Sequence, residues 1–232
     1  MTYKESKLGV YSDYTAWIVD GDAIRDSSQV NEEFGGCALH CDFPRLIPVN
    51  EIWIDEEIGE DERKFLVAGA LKQLKLLKQG VSKSKSYDLA MQFEKNLRKT
   101  SKADSSSKDL RVSLYYEYDG LKVYLVRGEV VRDKLKTDFI EGSNQGAYSG
   151  AKDAYPRMPD EIWLEQALDD DEKPYVMAHE YVERHLVKDL GWDIWKAYPV
   201  GAKIEFELRR RGAVSKEEVI PLAVSILKQM RV

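Results

Sequence analysis

Several things are scarce in this sequence. Cysteine occurs only twice, at Cys37 and Cys41. That gives no disulfide framework of a small secreted fold, so an intracellular setting is expected. No apolar run approaches the roughly 20 residues of a membrane span, and the N-terminal stretch MTYKESKLGVYSDYTAW lacks the apolar core of a signal peptide. There is no excess of positive charge: 35 Lys and Arg stand against 41 Asp and Glu, a net charge of −6. A chain of that balance has no strong attraction to nucleic acid or to an anionic membrane. What is present is ordinary for a soluble globular protein, with 43% hydrophobic and 33% charged residues. The length of 232 residues suits one large domain or two small ones with a real core.

The chain repeats itself. EIWI (51–54) recurs as EIWL (161–164), and a proline-containing turn precedes each, LIPVN (46–50) and RMPD (157–160). Upstream, WIVDGDAIRD (17–26) parallels YLVRGEVVRD (124–133). Downstream, EDERKFLVAGALKQLKLLKQG (60–80) parallels DDEKPYVMAHEYVERHLVKDLG (170–191), which is one residue longer, and FEKNLRK (93–99) parallels IEFELRR (204–210). Two copies are too few for a solenoid. The pattern predicts a duplicated domain folding as a pseudo-dimer, with a first repeat over 1–100, a polar Ser-rich linker over 101–110, and a second repeat over 111–232.

Each copy has the same plan, so the fold class is α+β. A β-hairpin opens it, and in copy two VSLYYEY-DG-LKVYLV (112–126) centres on Asp119-Gly120, a type I′ turn signal. A Gly- and Pro-rich segment, a short EIW strand and two helices follow, and small antiparallel sheets are expected. In copy one the helices fall near 60–79 and 86–99. In copy two the first starts near Asp170 or Asp171 as caps and ends at Gly191. The second runs from 193 to 211, with Pro199 as a kink or restart. An extra C-terminal helix begins with Ser215 and Glu218 as a capping box.

AHEYVERH (178–185) carries the clearest chemistry. At about 100° per residue, His179 and Glu183 fall inside the stripe formed by Tyr175, Val176, Val182, Leu186, Val187 and Leu190. Glu180 sits at its edge, whereas Arg184, His185 and Lys188 point away. A carboxylate aimed into a core needs a metal, a cation or a hydrogen-bond network. Copy one has Gly69, Ala70 and Gln73 at the places of His179, Glu180 and Glu183, so the trio is an addition to a shared frame. Glu205 lies on an inward stripe of the next helix, with Glu94 as its counterpart. Arg98 corresponds to Arg209 and Arg25 to Arg132, which reads as framework ion pairing. The chemical reading is a divalent cation, zinc foremost, held by His179, Glu183 and Glu205, with Glu180 as general base. The competing reading is a buried His–Glu hydrogen bond beside Glu205–Arg pairs.

Two further stretches have bland first readings. Cys37, His40 and Cys41 lie within GGCALHCD (35–42), but zinc wants about four ligands and no second Cys pair exists. They read first as free cysteines in a turn. The basic run LKQLKLLKQGVSKSKS (71–86) reads first as a solvated helix face and second as a phosphate-binding edge.

The chain resembles a family of uncharacterised bacteriophage and prophage proteins. Its pattern is DG-x-x-[VI]-R, F-x-x-GGH, IP-x-x-EIW-[IV]-D, HE-x-x-E, Y-x-x-AH, then a Glu and an Arg. Copy one matches at Asp20, Gly21, Ile24, Arg25, Phe34, Gly35, Gly36, Ile47, Pro48 and EIWID (51–55). Copy two matches at Gly128, Arg132, Glu161, Ile162, Trp163, His179, Glu180, Glu183, Ala197, Glu205 and Arg209. The chain departs where the pattern has histidine: Cys37 replaces that of GGH, and Tyr198 and Met91 replace that of AH. The resemblance implies a viral setting, host cytoplasm or virion, and a zincin-like motif, and it names no substrate. Two functions follow as expectations. One is a metal-dependent, peptidase-like hydrolase acting on a small or protein substrate. The other is a non-catalytic virion-associated or host-interaction protein with a protein partner, in either case without nucleic acid or membrane as partner.

Overall fold

The EIW segments sit at the centre of two sheets, and their sequence explains why. The computed structural model describes residues 3–27, 34–101, 109–135, 137, 139–144 and 160–230. The Ser-rich linker from 102 to 108, the end of EGSNQGAY and most of the RMPD turn lie outside the described residues. In the first copy, β1 (Lys4–Tyr11) and β2 (Tyr14–Val19) form a hairpin, followed by α1 (Gly21–Arg25), β3 (Cys37–Leu39) and β4 (Glu51–Asp55). β4 pairs parallel to β2 and antiparallel to β3, so the order is β1-β2-β4-β3. The second copy repeats this with β5 (Arg111–Tyr118), β6 (Leu121–Val126), α4 (Gly128–Lys134), β7 (Gly142–Asn144) and β8 (Glu161–Glu165), ordered β5-β6-β8-β7. Both sheets are therefore mixed, which corrects the expected antiparallel ones. A parallel pair needs a crossover, and the short helix with its following segment supplies it. The hairpin turn at Asp119-Gly120 has both φ angles positive, 50° and 78°, as a type I′ turn requires.

β4 and β8 are buried on both faces. Ile52 and Ile54 join Leu66, Val67, Ala70 and Leu74 in one core layer, while Trp53 packs opposite with Ile24, Phe34, Ala38 and Ile47. The glutamate two residues before each tryptophan lies on the tryptophan's face, because side chains alternate along a strand. Trp53 Nε1 donates to Glu51 Oε2 at 2.7 Å, and Trp163 Nε1 to Glu161 Oε2 at 2.9 Å. A cation from the first strand completes each set: Lys4 bonds Glu51 at 2.6 Å, and Arg111 bonds Glu161 at 2.7 Å. E-x-W thus pairs a buried indole donor with its own acceptor.

The helices follow: α2 (Glu60–Lys78), α3 (Lys83–Thr100), α5 (Lys173–Arg184), α6 (Ile194–Arg209) and α7 (Lys216–Gln229). α5 begins at Lys173 behind Glu172, one to two residues past the expected caps Asp170 or Asp171, and the Asp170 carboxylate engages Lys173 Nζ. Pro199 is accommodated inside an uninterrupted α6. Ser215 Oγ bonds the Glu218 carboxylate at 2.8 Å, so the two side chains of the expected capping box meet each other. The one-residue excess of copy two has a definite location. His185–Asp189 is π-helical, whereas the matching stretch of α2 is regular. The terminators show the same offset. Val81 N–H reaches back to Leu76 C=O, but Trp192 N–H reaches back one residue further, to Leu186 C=O. Gly80 and Gly191 take the positive φ that each terminator needs, 81° and 71°.

Two compact units result. Among the described residues, the first takes 3–27, 34–101, 132–135 and 137, and the second takes 109–131, 139–144 and 160–230. In the second, α7 adds Val219, Ile220, Ala223, Ile226 and Leu227 to the layer shared by β6, β8, α5 and α6. The fold is α+β with a duplicated unit and an added C-terminal helix. No helix among the described residues is long and apolar enough to cross a membrane.

Candidate functional site: a histidine between two carboxylates

The facing stripes of α5 and α6 bring His179, Glu183 and Glu205 together. On α6 every fourth residue is buried: Ala197, Gly201, Glu205 and the side chain of Arg209. On α3 the same stripe reads Ser86, Ala90, Glu94 and Arg98. The helices therefore correspond with an offset of 111, which matches Tyr198 to Tyr87. This corrects the placement of Tyr198 beside Met91 in the repeat pattern.

A Glu–Arg–Glu frame recurs in both units. In the first, Arg98 bonds Glu94 at 2.8 Å and Glu62 at 2.8 Å. Arg132, part of the same compact unit, also donates to Glu62, at 2.6 Å. In the second, Arg209 bonds Glu205 at 2.8 Å and grips Glu172 with two bonds of 2.6 Å. Glu172 and Glu62 are equivalent positions that the sequence reading passed over. Their recurrence as the third residue of the aligned segments 60–80 and 170–191 was the signal available.

Onto this frame the second unit adds an imidazole. His179 Nδ1 lies 2.8 Å from Glu205 Oε2, and Nε2 lies 3.5 Å from Glu183 Oε1. The three residues are 2%, 4% and 3% exposed in that order. Space for the ring comes from Gly201. A Cβ there would stand 3.0 Å from His179 Cδ2, 3.1 Å from Nε2 and 3.2 Å from Glu183 Cγ. The first unit reverses the pair. It has Ala90 at the place of Gly201 and Gly69 at the place of His179, where a Cβ would come within 2.7 Å of Glu94 Oε2. The Glu94 carboxylate fills the room that the imidazole takes in the second unit. The Tyr198 ring stands edge-on to the imidazole, with centroids 5.3 Å apart.

The imidazole changes the electrostatics. Burial alone pushes the Glu205 carboxyl up, but the His179 hydrogen bond and the Arg209 guanidinium outweigh it and hold the group at about 2. Glu94, with Arg98 but no histidine, goes the other way: burial wins and its pKa is raised. Arg209 is pushed up, because Glu205 and Glu172 outweigh its own burial.

As a metal site the three residues fit only in part. Two ligands about 2.1 Å from one ion stand about 3.4 Å apart in a tetrahedron. The Nε2 to Oε1 separation of 3.5 Å fits that spacing. Glu205, however, engages the opposite ring nitrogen, the position of a carboxylate that orients a histidine instead of sharing its metal. His179, Glu183 and Glu205 do not offer three ligand atoms all within 4.8 Å of one another. Glu180 faces elsewhere: its Oε1 lies 3.3 Å from where a Cβ on Gly142 of β7 would be. The structure thus brings together His179 with Glu183 and His179 with Glu205, and sets Glu180 apart.

Cys37, His40 and Cys41 do not converge either. His40 Nδ1 bonds Ile47 C=O at 2.7 Å, and Cys41 Sγ lies 3.7 Å from Asp42 Oδ1. Cys37 packs against the core on β3, where burial, with Glu94 and Asp42, pushes its thiol far up. Both are free cysteines. No protein-family model, curated protein or solved structure matches this chain.

Proposed function

We propose that this chain is a non-catalytic binding protein, in which the AHEYVERH network fastens α5 to α6 instead of activating water. The observation that carries this reading is closure. Both ring nitrogens of His179 face carboxylates, Glu205 is held by Arg209, and Gly201 packs directly on the imidazole. A hydrolytic metal needs about three protein ligands and an open position for water. The neighbouring elbow supports a binding role. It exposes Leu190, Trp195 and Tyr198, with Trp195 82% accessible, and exposed tryptophan and tyrosine are favoured contact residues for a protein partner. Equivalent positions of the first unit carry Gln79, Ser84 and Tyr87, so most of this apolar surface belongs to the second copy alone. The resemblance to phage and prophage proteins makes that partner a virion component or a host protein.

A second reading rests on the 3.5 Å spacing of His179 Nε2 and Glu183 Oε1. In it, these two residues hold a divalent ion such as zinc, Glu205 orients the imidazole, and the chain is a peptidase-like hydrolase with Glu180 as base. Elemental analysis of natively purified protein, beside the His179→Ala and Glu183→Ala variants, separates the two. The binding reading expects sub-stoichiometric metal and variants that are merely less stable. Near-stoichiometric zinc, lost in both variants while they stay folded, would establish the hydrolytic site instead.

A further inference from the structure

We propose that the exposed face of α2 in the first unit binds the phosphate backbone of single-stranded nucleic acid. Lys64, Lys72, Lys75 and Lys78 fall within about 120° of the helix wheel, opposite the buried arc of Phe65, Leu66, Gly69, Ala70, Gln73 and Leu74. The row spans about 21 Å, the length of roughly six nucleotides of one strand. No Asp or Glu occurs between Lys64 and Tyr87. Asp13, on the hairpin turn, pairs with Lys78 at 3.3 Å in an exposed contact that salt and a polyanion easily replace.

Two observations single this row out from an ordinary solvated face. First, the frame residues of α2 recur in α5, but the lysines do not: Pro174, Val182 and Asp189 stand where Lys64, Lys72 and Lys78 are. The duplicated fold does without them. Second, Phe93 of α3 is 41% exposed and lies under Lys72, whose Nζ is 5.8 Å from the ring centroid. A cationic row beside an accessible aromatic ring is the combination that holds single strands, with phosphates on the cations and a base on the ring. Lysine suits this role, being a compact charge without the fork geometry that reads carboxylates two at a time. The net charge of −6 describes the whole chain and leaves this local excess intact. The proposal goes beyond the binding reading above and depends on no residue of the second unit.

The test is fluorescence anisotropy of the full chain with a labelled oligo-dT of about 20 nucleotides, titrated between about 50 and 200 mM salt. Four phosphate contacts on a single strand give a log–log salt slope of about −3, hence roughly 50-fold weaker binding across that range. The Lys72→Glu/Lys75→Glu variant should lose most of the affinity, whereas Lys122→Glu should keep it. If the charge reversal unfolds the chain, Lys72→Gln/Lys75→Gln replaces it and should reduce the slope by about 1 to 2. No binding at the lowest salt, unchanged affinity in the α2 variant, or equal displacement by a poly-glutamate of matched charge would each overturn the proposal.

Discussion

Glu205 and Glu94 occupy one position of a duplicated frame, yet burial raises the pKa of one, while His179 and an arginine hold the other near 2. The sign matters for stability. A carboxyl depressed from an ordinary value near 4.5 stabilises the fold above that pH, and the contribution is lost as pH falls toward about 2. Glu205→Gln, which removes a buried ion-pair partner of Arg209, should cost about 3 to 5 kcal/mol at neutral pH and flatten the acid limb of the stability profile. Glu94 has the opposite sign: its raised pKa favours the fold at low pH and loses that advantage as pH rises through the folded value. Glu94→Gln should cost less than Glu205→Gln, as urea unfolding at several pH values will show. Packing gives a second prediction. Gly201→Ala alone should destabilise by about 1 to 3 kcal/mol, since its methyl meets the imidazole and Glu183. Combined with His179→Gly, which restores the first unit's Gly–Ala pairing, it should cost less than the sum, a coupling that a double-mutant cycle measures directly. At this scale the sequence was informative where an apolar stripe enclosed a charge. The wheel turned His179 and Glu183 inward, and the recurrence of Glu205 and Arg209 marked the frame. Glu172 and Gly201 escaped because an acid beside a helix start and a glycine within a helix carry no partner signal of their own. Only the facing helix gives them meaning.

At the scale of elements, a one-residue insertion and a short motif carry most of the lesson. The excess residue of copy two was legible as a length difference, but a helix can absorb it as a bulge, a kink or a longer turn, and only packing selects. Here it becomes the π-helical stretch His185–Asp189, which keeps Leu186 buried and turns His185 toward Asp189 at 2.8 Å. A π-turn interrupts the regular ladder. Amides of 185–190 should exchange with deuterium faster than those of 175–184 and faster than the matching turn of α2, as exchange mass spectrometry will report. The EIW strands were legible as strands. Their parallel pairing with β2 and β6 was not, because three apolar residues between two acids read the same in either direction. Glu161→Ala removes the acceptor of the buried Trp163 indole and should cost about 1 to 3 kcal/mol in unfolding free energy. Glu161→Gln, which keeps an acceptor, should cost less.

For the whole molecule, the duplication was the most legible feature, since it depends on spacing alone and not on any local propensity. Divergence between copies then served as a guide to function. What both units keep is frame: the E-x-W pair, the Glu–Arg–Glu frame and the glycine terminators. Besides α7 and the π-helical stretch, what one unit alone has includes the imidazole between α5 and α6, the aromatic elbow beside it, and the lysine row on α2. Sequence placed the imidazole inward but could not tell a metal pair from a closed network, because i and i+4 spacing serves both. The central claim is that the network is closed and structural. Its most direct test is the unfolding free energy of the wild-type chain and of His179→Ala, each measured in chelator and in excess zinc. The account predicts a wild type whose stability is the same in both conditions, and a variant weaker by about 2 to 5 kcal/mol in both. A wild type stabilised by zinc, with the gain abolished in His179→Ala, would contradict it and make AHEYVERH a metal site.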